Sequence, residues 1–363
     1  MKKIPILYHC FLNQSGYGIS AQNYILALHN SGEYDIKIHT FSKKPLPPVF
    51  SFDKCKLFKE MIDKKDDSNR INIFQIIPPM QRRIKIVGKS IGFFVFETFS
   101  PPVQWLSYLN KNNAIVAPSQ FTYRILAHEQ IKRPLYYFPH CFDTKIYNNN
   151  VEKLNNYDKF TFLFIGTWKI RKGYVPLIEA FLKEFNEYEK VQLIIKTDKP
   201  KEALKYVETI KSQYKINKGK DNIIFEDNKY SEEEMSRFIK SADVVVSPTL
   251  GEGFLLPGLQ AMALNVPIIV TDFSGPLDYA SEDTCTFFNK SGFTLYNSMD
   301  GVPQFRRKKW AFVSTKEIRK KMRYAVDNYE ILQEKSKNGY KFVHDNFNYK
   351  KIENYFKEIV GNL

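Results

Sequence analysis

No Asp-x-Asp pair occurs anywhere in these 363 residues. The common arrangement in which two aspartates one residue apart hold a metal beside a phosphate is therefore missing, and no metal site is expected. Cysteine is scarce. Cys10, Cys55, Cys141 and Cys285 form no C-x-x-C pair and have no metal-ligand spacing. Three of them lie in or beside apolar runs, so buried free thiols in a reducing compartment are the default. No run approaches the ~20 apolar residues needed to span a bilayer, so no transmembrane segment is expected. Lys2-Lys3 precedes only a short apolar run broken by Pro5 and His9, unlike a secretory signal. Internal repeats and low-complexity tracts are absent as well. The expected location is the cytoplasm, with peripheral contact to an anionic membrane surface left open.

Acidic residues are outnumbered, which gives a net charge of +15. The first 150 residues carry 20 Lys and Arg against 10 Asp and Glu, and the remainder 34 against 29. The excess is thus concentrated towards the N-terminus. Such a field suits polyanionic partners: a diphosphate, an anionic lipid surface or nucleic acid. A composition merely rich in Lys, Asn and Ile is the competing explanation and would scatter the charge. The length is generous for one core and comfortable for two domains of about 150–200 residues. Asn148 to Lys159, rich in Asn and charge and without periodicity, is the best linker. It divides the chain into 1–150 and 151–345, with a terminal helical segment at 346–363.

The most informative stretch runs from Ser247 to Asp272, SPTLGEGFLLPGLQAMALNVPIIVTD. Asp243-Val-Val-Val reads as a short buried strand, and Val266 to Thr271 as the next. Between them lie Gly251-Glu252-Gly253 and an apolar helix from about Leu255 to Leu264, with Pro257 suited to its first turn. This is one βαβ unit of a parallel sheet. Its glycines let backbone approach a ligand, and the helix start behind them offers N–H groups to an anion.

Read whole, Glu252-Gly-Phe-Leu-Leu-Pro257-Gly-Leu-Gln260-Ala-Met-Ala-Leu-Asn-Val-Pro267-Ile-Ile resembles E-G-F-G-L-P-x-L-E-A-M-A-x-G-x-P-V-V. That string is the signature of the retaining glycosyltransferases of family 4. The family has two glutamates eight residues apart, and the second is Gln260 here. A further match is Gly166-Thr-Trp-Lys169-Ile-Arg171-Lys172-Gly173 after the apolar strand Phe160–Ile165, followed by a helix from Val175 to Phe185. It is similar to the family's G-[RT]-x-x-x-x-K-G…L-I-E-A-F. Lys172 takes the lysine position. Thr167 replaces the usual arginine, which leaves Arg171 or Lys169 to supply the second charge.

Weaker similarity covers the first part. Ile4 to His9 reads as a strand, followed by a loop with Gly16 and Gly18 and a helix from about Ile19 to Asn30. Tyr34–Thr40 and Ile71–Ile77 read as strands. The segment between, a proline-rich loop from Lys43 to Asp53 and a charged stretch to Asn69, does not. Ser90 to Glu97 is a further apolar strand ending on a lone carboxylate, followed by a helix from Val103 to Asn112. Glu97 stands either beside a ligand, as strand-end residues of parallel sheets do, or as a cap on the following turn. Ser119 is placed to cap a helix over Phe121–Leu126. His140 reads as a turn residue bonded to backbone. In the second part Ser231 and Glu234 have capping-box spacing. Arg306-Arg-Lys-Lys309 beside Trp310 is either a phosphate- or base-gripping cluster or a solvated loop in an irregular stretch from 285 to 312. Two charged helices, Thr315–Asn338 and Tyr349–Val360, close the chain.

The resemblance implies an α/β protein of GT-B fold. Two doubly wound Rossmann-like domains would face each other across a cleft, with a C-terminal helix crossing back to the first. The first domain would bind the acceptor and the second a nucleotide-diphosphate sugar, UDP- or GDP-linked, with no bound cofactor. Glu252, Lys172 and Glu97 would carry catalysis. Gly16, Gly18, Thr167, Lys169, Arg171, Lys172, Gly251, Gly253, Phe254, Leu255 and Gln260 would line the donor. The acceptor is left as a glycan, a glycolipid or DNA. Loss of the second glutamate keeps a rival reading open, a non-catalytic nucleotide-sugar or nucleic-acid binding module on the same fold.

Overall fold

A computed structural model describes residues 3–42, 46–47, 49–65, 70–214 and 222–363. Residues 43–45, 48 and 66–69, on which parts of the expected proline-rich loop and charged stretch fall, lie outside the described residues. The chain divides into two compact units, one of Met1–Asp143 with Asp345–Leu363 and one of Thr144–His344.

The first unit alternates strands and helices: β1 (Ile4–Cys10), α1 (Gly16–Asn30), β2 (Tyr34–Thr40), α2 (Phe52–Asp63), β3 (Ile71–Phe74), β4 (Ser90–Phe93), α3 (Val103–Leu109), β5 (Ala114–Ala117), α4 (Gln120–Ala127) and β6 (Leu135–Tyr137). Among the described residues its six strands are parallel in the order β2-β1-β3-β4-β5-β6. The strand order reverses beside β1, so the loop leaving β1 sits at a switch point, where parallel sheets bind ligands. That loop is shorter than the sequence suggests. The Ser15 hydroxyl accepts from the Gly18 amide at 3.2 Å and caps α1, which therefore begins at Gly16 instead of Ile19. Both glycines lie in the first helical turn, and a Cβ on Gly18 would overlap the Asn13 carbonyl. Gly18 thus has a packing reason to be glycine, whereas Gly16 faces open space.

The apolar run after β4 leaves the ladder at Phe93 instead of continuing to Glu97. Phe94 and Phe96 are buried in an aromatic group with Trp105 of α3 (Phe96–Trp105 centroids 5.6 Å). Their hydrophobicity serves loop packing, which periodicity alone does not separate from a strand. At the other end of the chain, α11 (Tyr349–Gly361) returns to this unit. It buries Ile352, Phe356 and Ile359 in the first core, with Phe356 edge-on to Tyr34 at 5.2 Å. The Tyr349 hydroxyl donates to Asn23 of α1 at 3.1 Å, and the Phe142 amide donates to the Phe347 carbonyl at 3.2 Å.

In the second unit come β7 (Phe160–Ile165), α5 (Tyr174–Glu184), β8 (Val191–Lys196), α6 (Pro200–Tyr214), β9 (Ile223–Glu226), α7 (Glu232–Lys240), β10 (Val244–Ser247), α8 (Leu256–Ala263), β11 (Ile268–Thr271) and β12 (Thr286–Phe288). Among the described residues its parallel order is β12-β11-β10-β7-β8-β9. This is the Rossmann order, with the reversal between β7 and β10. Apolar runs buried on both faces of these strands explain it. The α7 capping box is formed as its spacing requires, with Ser231 and Glu234 bonding reciprocally.

Two expectations fail here. The stretch from 285 to 312 is not irregular, because it supplies β12 and an antiparallel ribbon of β13 (Gly292–Tyr296) and β14 (Lys308–Phe312). Its first strand is largely exposed, and the short alternation Phe293-Thr294-Leu295 is too brief to mark it. The charged helix after Thr315 is two helices, α9 (Thr315–Asp327) and α10 (Tyr329–Asn346). They break at Asn328, whose side chain turns back to the Tyr324 carbonyl.

Candidate functional site

β7 and β10 lie side by side, with Phe162 opposite Val244. The loops leaving their C-terminal ends therefore meet at the switch point of the second unit. The first loop runs from Gly166 to Gly173, and the second from Pro248 to Leu255. Gly173 adopts φ +77°, a left-handed backbone open to glycine at little cost. A Cβ there would overlap the Pro248 carbonyl, so glycine permits the two loops to touch. The Leu250 amide donates to the Arg171 carbonyl at 2.8 Å and joins them further.

This contact brings the sequence-predicted charges together. Glu252, 5% exposed, receives Lys172 Nζ on Oε1 at 2.6 Å and Arg171 Nη1 on Oε2 at 3.2 Å. The Thr249 hydroxyl adds a third donor at 3.1 Å. The Glu252 amide itself donates to the Ser274 hydroxyl at 2.9 Å, and its carbonyl accepts from Gly275 at 3.0 Å. Burial pushes the Glu252 carboxyl up, but the Lys172 ammonium and the Arg171 guanidinium outweigh it and hold the group below the usual range. A buried carboxylate is tolerated here because it is paired and bonded.

The other predicted residues divide. Thr167 and Lys169 are exposed, and the Lys169 ammonium reaches the Asp300 carbonyl at 3.4 Å. Gly251 and Gly253 are buried in the loop before α8. Phe254 and Leu255 have buried side chains, with Phe254 packed on Tyr279 (5.5 Å), so a ligand would meet their backbone only. Leu255 caps α8 with φ +70°, and Pro257 lies in the first turn as expected. Gln260, on α8, is buried and donates to the Tyr147 hydroxyl at 2.8 Å. Gly16, Gly18 and Glu97 belong to the first unit, where Glu97 lies in a half-buried bend four residues past β4.

Sequence reasoning missed Asp300, which stands 3.8 Å from Arg171 Nε with a side chain only 2% exposed. No motif marks it, since its place depends on the unforeseen β13–β14 ribbon. His140 is buried with its Nδ1 2.8 Å from the Tyr24 hydroxyl, and burial pushes its pKa down to about 3. Trp310 is fully buried edge-on to Phe305, which removes it as a base-stacking platform beside Arg306 and Arg307.

Among the described residues no group of three or more His, Cys, Asp or Glu is placed to hold a metal ion. No helix among them is long and apolar enough to cross a membrane.

Two doubly wound α/β units, with a terminal helix returning to the first, define the GT-B fold. Residues 159–295, which contain both loops of the site, match the family described as Glycosyl transferases group 1. No curated protein matches the sequence. Solved structures share the fold at low identity. HepE of Anabaena, in complex with UDP and glucose, is 12% identical with TM-score 0.68, covering 99% of this chain and 100% of that one. A glycosyltransferase from Rickettsia africae is 13% identical with TM-score 0.70, covering 100% and 98%. The sucrose-phosphate synthase of Thermosynechococcus elongatus is 14% identical with TM-score 0.70, covering 99% and 98%.

Proposed function

We propose that the protein is a retaining, metal-independent glycosyltransferase that moves a sugar from a nucleotide-diphosphate sugar to an acceptor hydroxyl. One observation carries the reading. Lys172 and Arg171 converge on buried Glu252 at a Rossmann switch point, within the span that matches the group 1 family. Departure of the sugar leaves a diphosphate bearing most of the developing negative charge. Lys172, Arg171 and the N-terminus of α8 supply fixed positive potential for it. Glu252, acceptor-only when ionised, would take hydrogen bonds from hydroxyls of the transferred sugar. The acceptor oxygen would attack the anomeric carbon on the face the diphosphate leaves, and a diphosphate oxygen would take the acceptor's proton. HepE was solved with UDP and glucose and also with UDP-glucose, which makes uridine donors the first to try.

The experiment is a thermal-shift and turnover screen across UDP- and GDP-sugars, with and without EDTA. Stabilisation by at least one donor and chelator-resistant turnover are expected. No response to any donor at millimolar concentration would sink the reading, and chelator inhibition reversed by Mn²⁺ would sink its metal-independent part.

The surplus charge on the first 150 residues supports an acceptor that is anionic or lies on an anionic surface, such as a phospholipid-linked sugar or DNA. Acceptor KM should then rise steeply between about 50 and 300 mM salt. A flat dependence, with a neutral oligosaccharide accepted equally well, would refute that assignment and leave the donor chemistry standing.

A further inference from the structure

Arg171 is held from two sides by carboxylates on different loops. Its Nη1 meets Glu252 at 3.2 Å, and its Nε faces Asp300 at 3.8 Å. The two acids differ in kind. Glu252 is satisfied by Lys172, Arg171 and Thr249. Asp300 is 98% buried by its side chain, yet neither carboxylate oxygen has a hydrogen-bond partner among the described residues. A buried carboxylate without such bonds is costly. Its backbone is also unusual, at φ +56° in the connection between β13 and β14. An aspartate retained in a left-handed position, buried and unbonded beside a phosphate-type cation, calls for a role that packing does not supply.

We propose that Asp300 is a built-in anionic competitor for the diphosphate: it occupies Arg171 while the site is empty and limits how tightly nucleoside diphosphate, in donor or product, is held. This rests on the donor-binding reading above. Lys172 already has Glu252 at 2.6 Å, so Arg171 is the cation whose engagement two acids share. An entering diphosphate must draw Arg171 from Asp300, and the carboxylate then repels the phosphates at short range. The effect is weaker binding and easier product departure. Lys169, whose ammonium reaches the Asp300 carbonyl, ties the same connection to the loop.

Asp300→Asn tests this without disturbing the backbone, because asparagine accepts the left-handed region as readily as aspartate. The affinities of UDP, GDP and inorganic pyrophosphate are measured by calorimetry on the full chain. The variant should bind the best of these roughly three- to ten-fold more tightly, as expected for removing one charge several ångströms from an anion. Its kcat should fall if product departure limits turnover, while donor KM falls too. Arg171→Ala should weaken binding, and adding Asp300→Asn to it should gain less than Asp300→Asn gains in the wild type, because only the direct repulsion is then left to remove. A merely structural role would lower thermal stability and weaken or leave unchanged the affinity in Asp300→Asn, and that result overturns the proposal. Asp300→Gly, which also suits this backbone, gives a second reading should the asparagine variant fold poorly. If the wild type and both Asp300 variants bind none of the three probes, the donor-site reading itself falls.

Discussion

Lys172 and Glu252 make opposite demands on an experiment. Lys172→Ala should remove about 2–4 kcal/mol of transition-state stabilisation, roughly a thirty- to thousand-fold loss in kcat. Glu252→Gln keeps shape but deletes the charge that anchors both cations, so donor KM and kcat should both suffer. Steady-state kinetics on folded variants checks both, and near-normal turnover in Lys172→Ala would remove it from the site. The depressed carboxyl of Glu252 contributes stability above the usual glutamate range that is lost as pH falls through its folded-state pKa. His140 contributes to the pH dependence as well. Its folded pKa of about 3 lies below the unfolded 6.5, so the unfolded chain binds the extra proton and stability falls as pH drops from about 6.5 towards 3. His140→Asn should flatten that part of a pH–stability curve, and an unchanged slope would show the histidine to be irrelevant to it. Glu252 and Lys172 could be singled out in the sequence because each sits inside a motif joined to a strand end. Asp300 was not, because nothing local announces that the connection after Tyr296 will fold onto Arg171. The partner of Gln260 was equally invisible, since Tyr147 lies 113 residues away in the chain.

Secondary elements divide along the same line. Strand β7 and the α7 capping box were readable with correct ends, since an apolar run and a Ser-x-x-Glu spacing are local signals. Elements that depend on distant partners were not: the apolar run at Phe94–Phe96 looked like strand, and the exposed β13 looked like nothing. The α1 start moved because a serine cap outweighed two glycines. Between loop and helix, Gly173 carries the largest testable consequence. Gly173→Ala imposes a left-handed alanine, about 1–2 kcal/mol, and displaces the Pro248 carbonyl as well. A loss of about 2–4 kcal/mol in denaturant unfolding is expected, together with weaker donor binding as the two loops part. A variant as stable as the wild type would show that the loops need no such closeness.

At the scale of the molecule, the first unit is built from both ends of the chain. Ile352, Phe356 and Ile359 are almost wholly buried in its core. At about 1.5–3 kcal/mol each, they approach the roughly 5–15 kcal/mol that holds a whole domain folded. Removing residues 348–363 should therefore abolish cooperative unfolding of the first unit, seen as loss of protection of β1 and α1 amides in hydrogen exchange. Retained protection would mean α11 is dispensable. The same arrangement orders events on the ribosome. The last strand of the first sheet ends at Tyr137, whereas the helix that completes its core ends at Gly361. At about 5–20 residues per second, translation leaves that nascent sheet waiting roughly ten to forty seconds, with the landing face of α1 bare. The second unit, continuous from Thr144 to His344, has all its residues in hand before the first. The half of the protein that is made first is thus the half that finishes folding last, and the interval between is when a chaperone has something to hold.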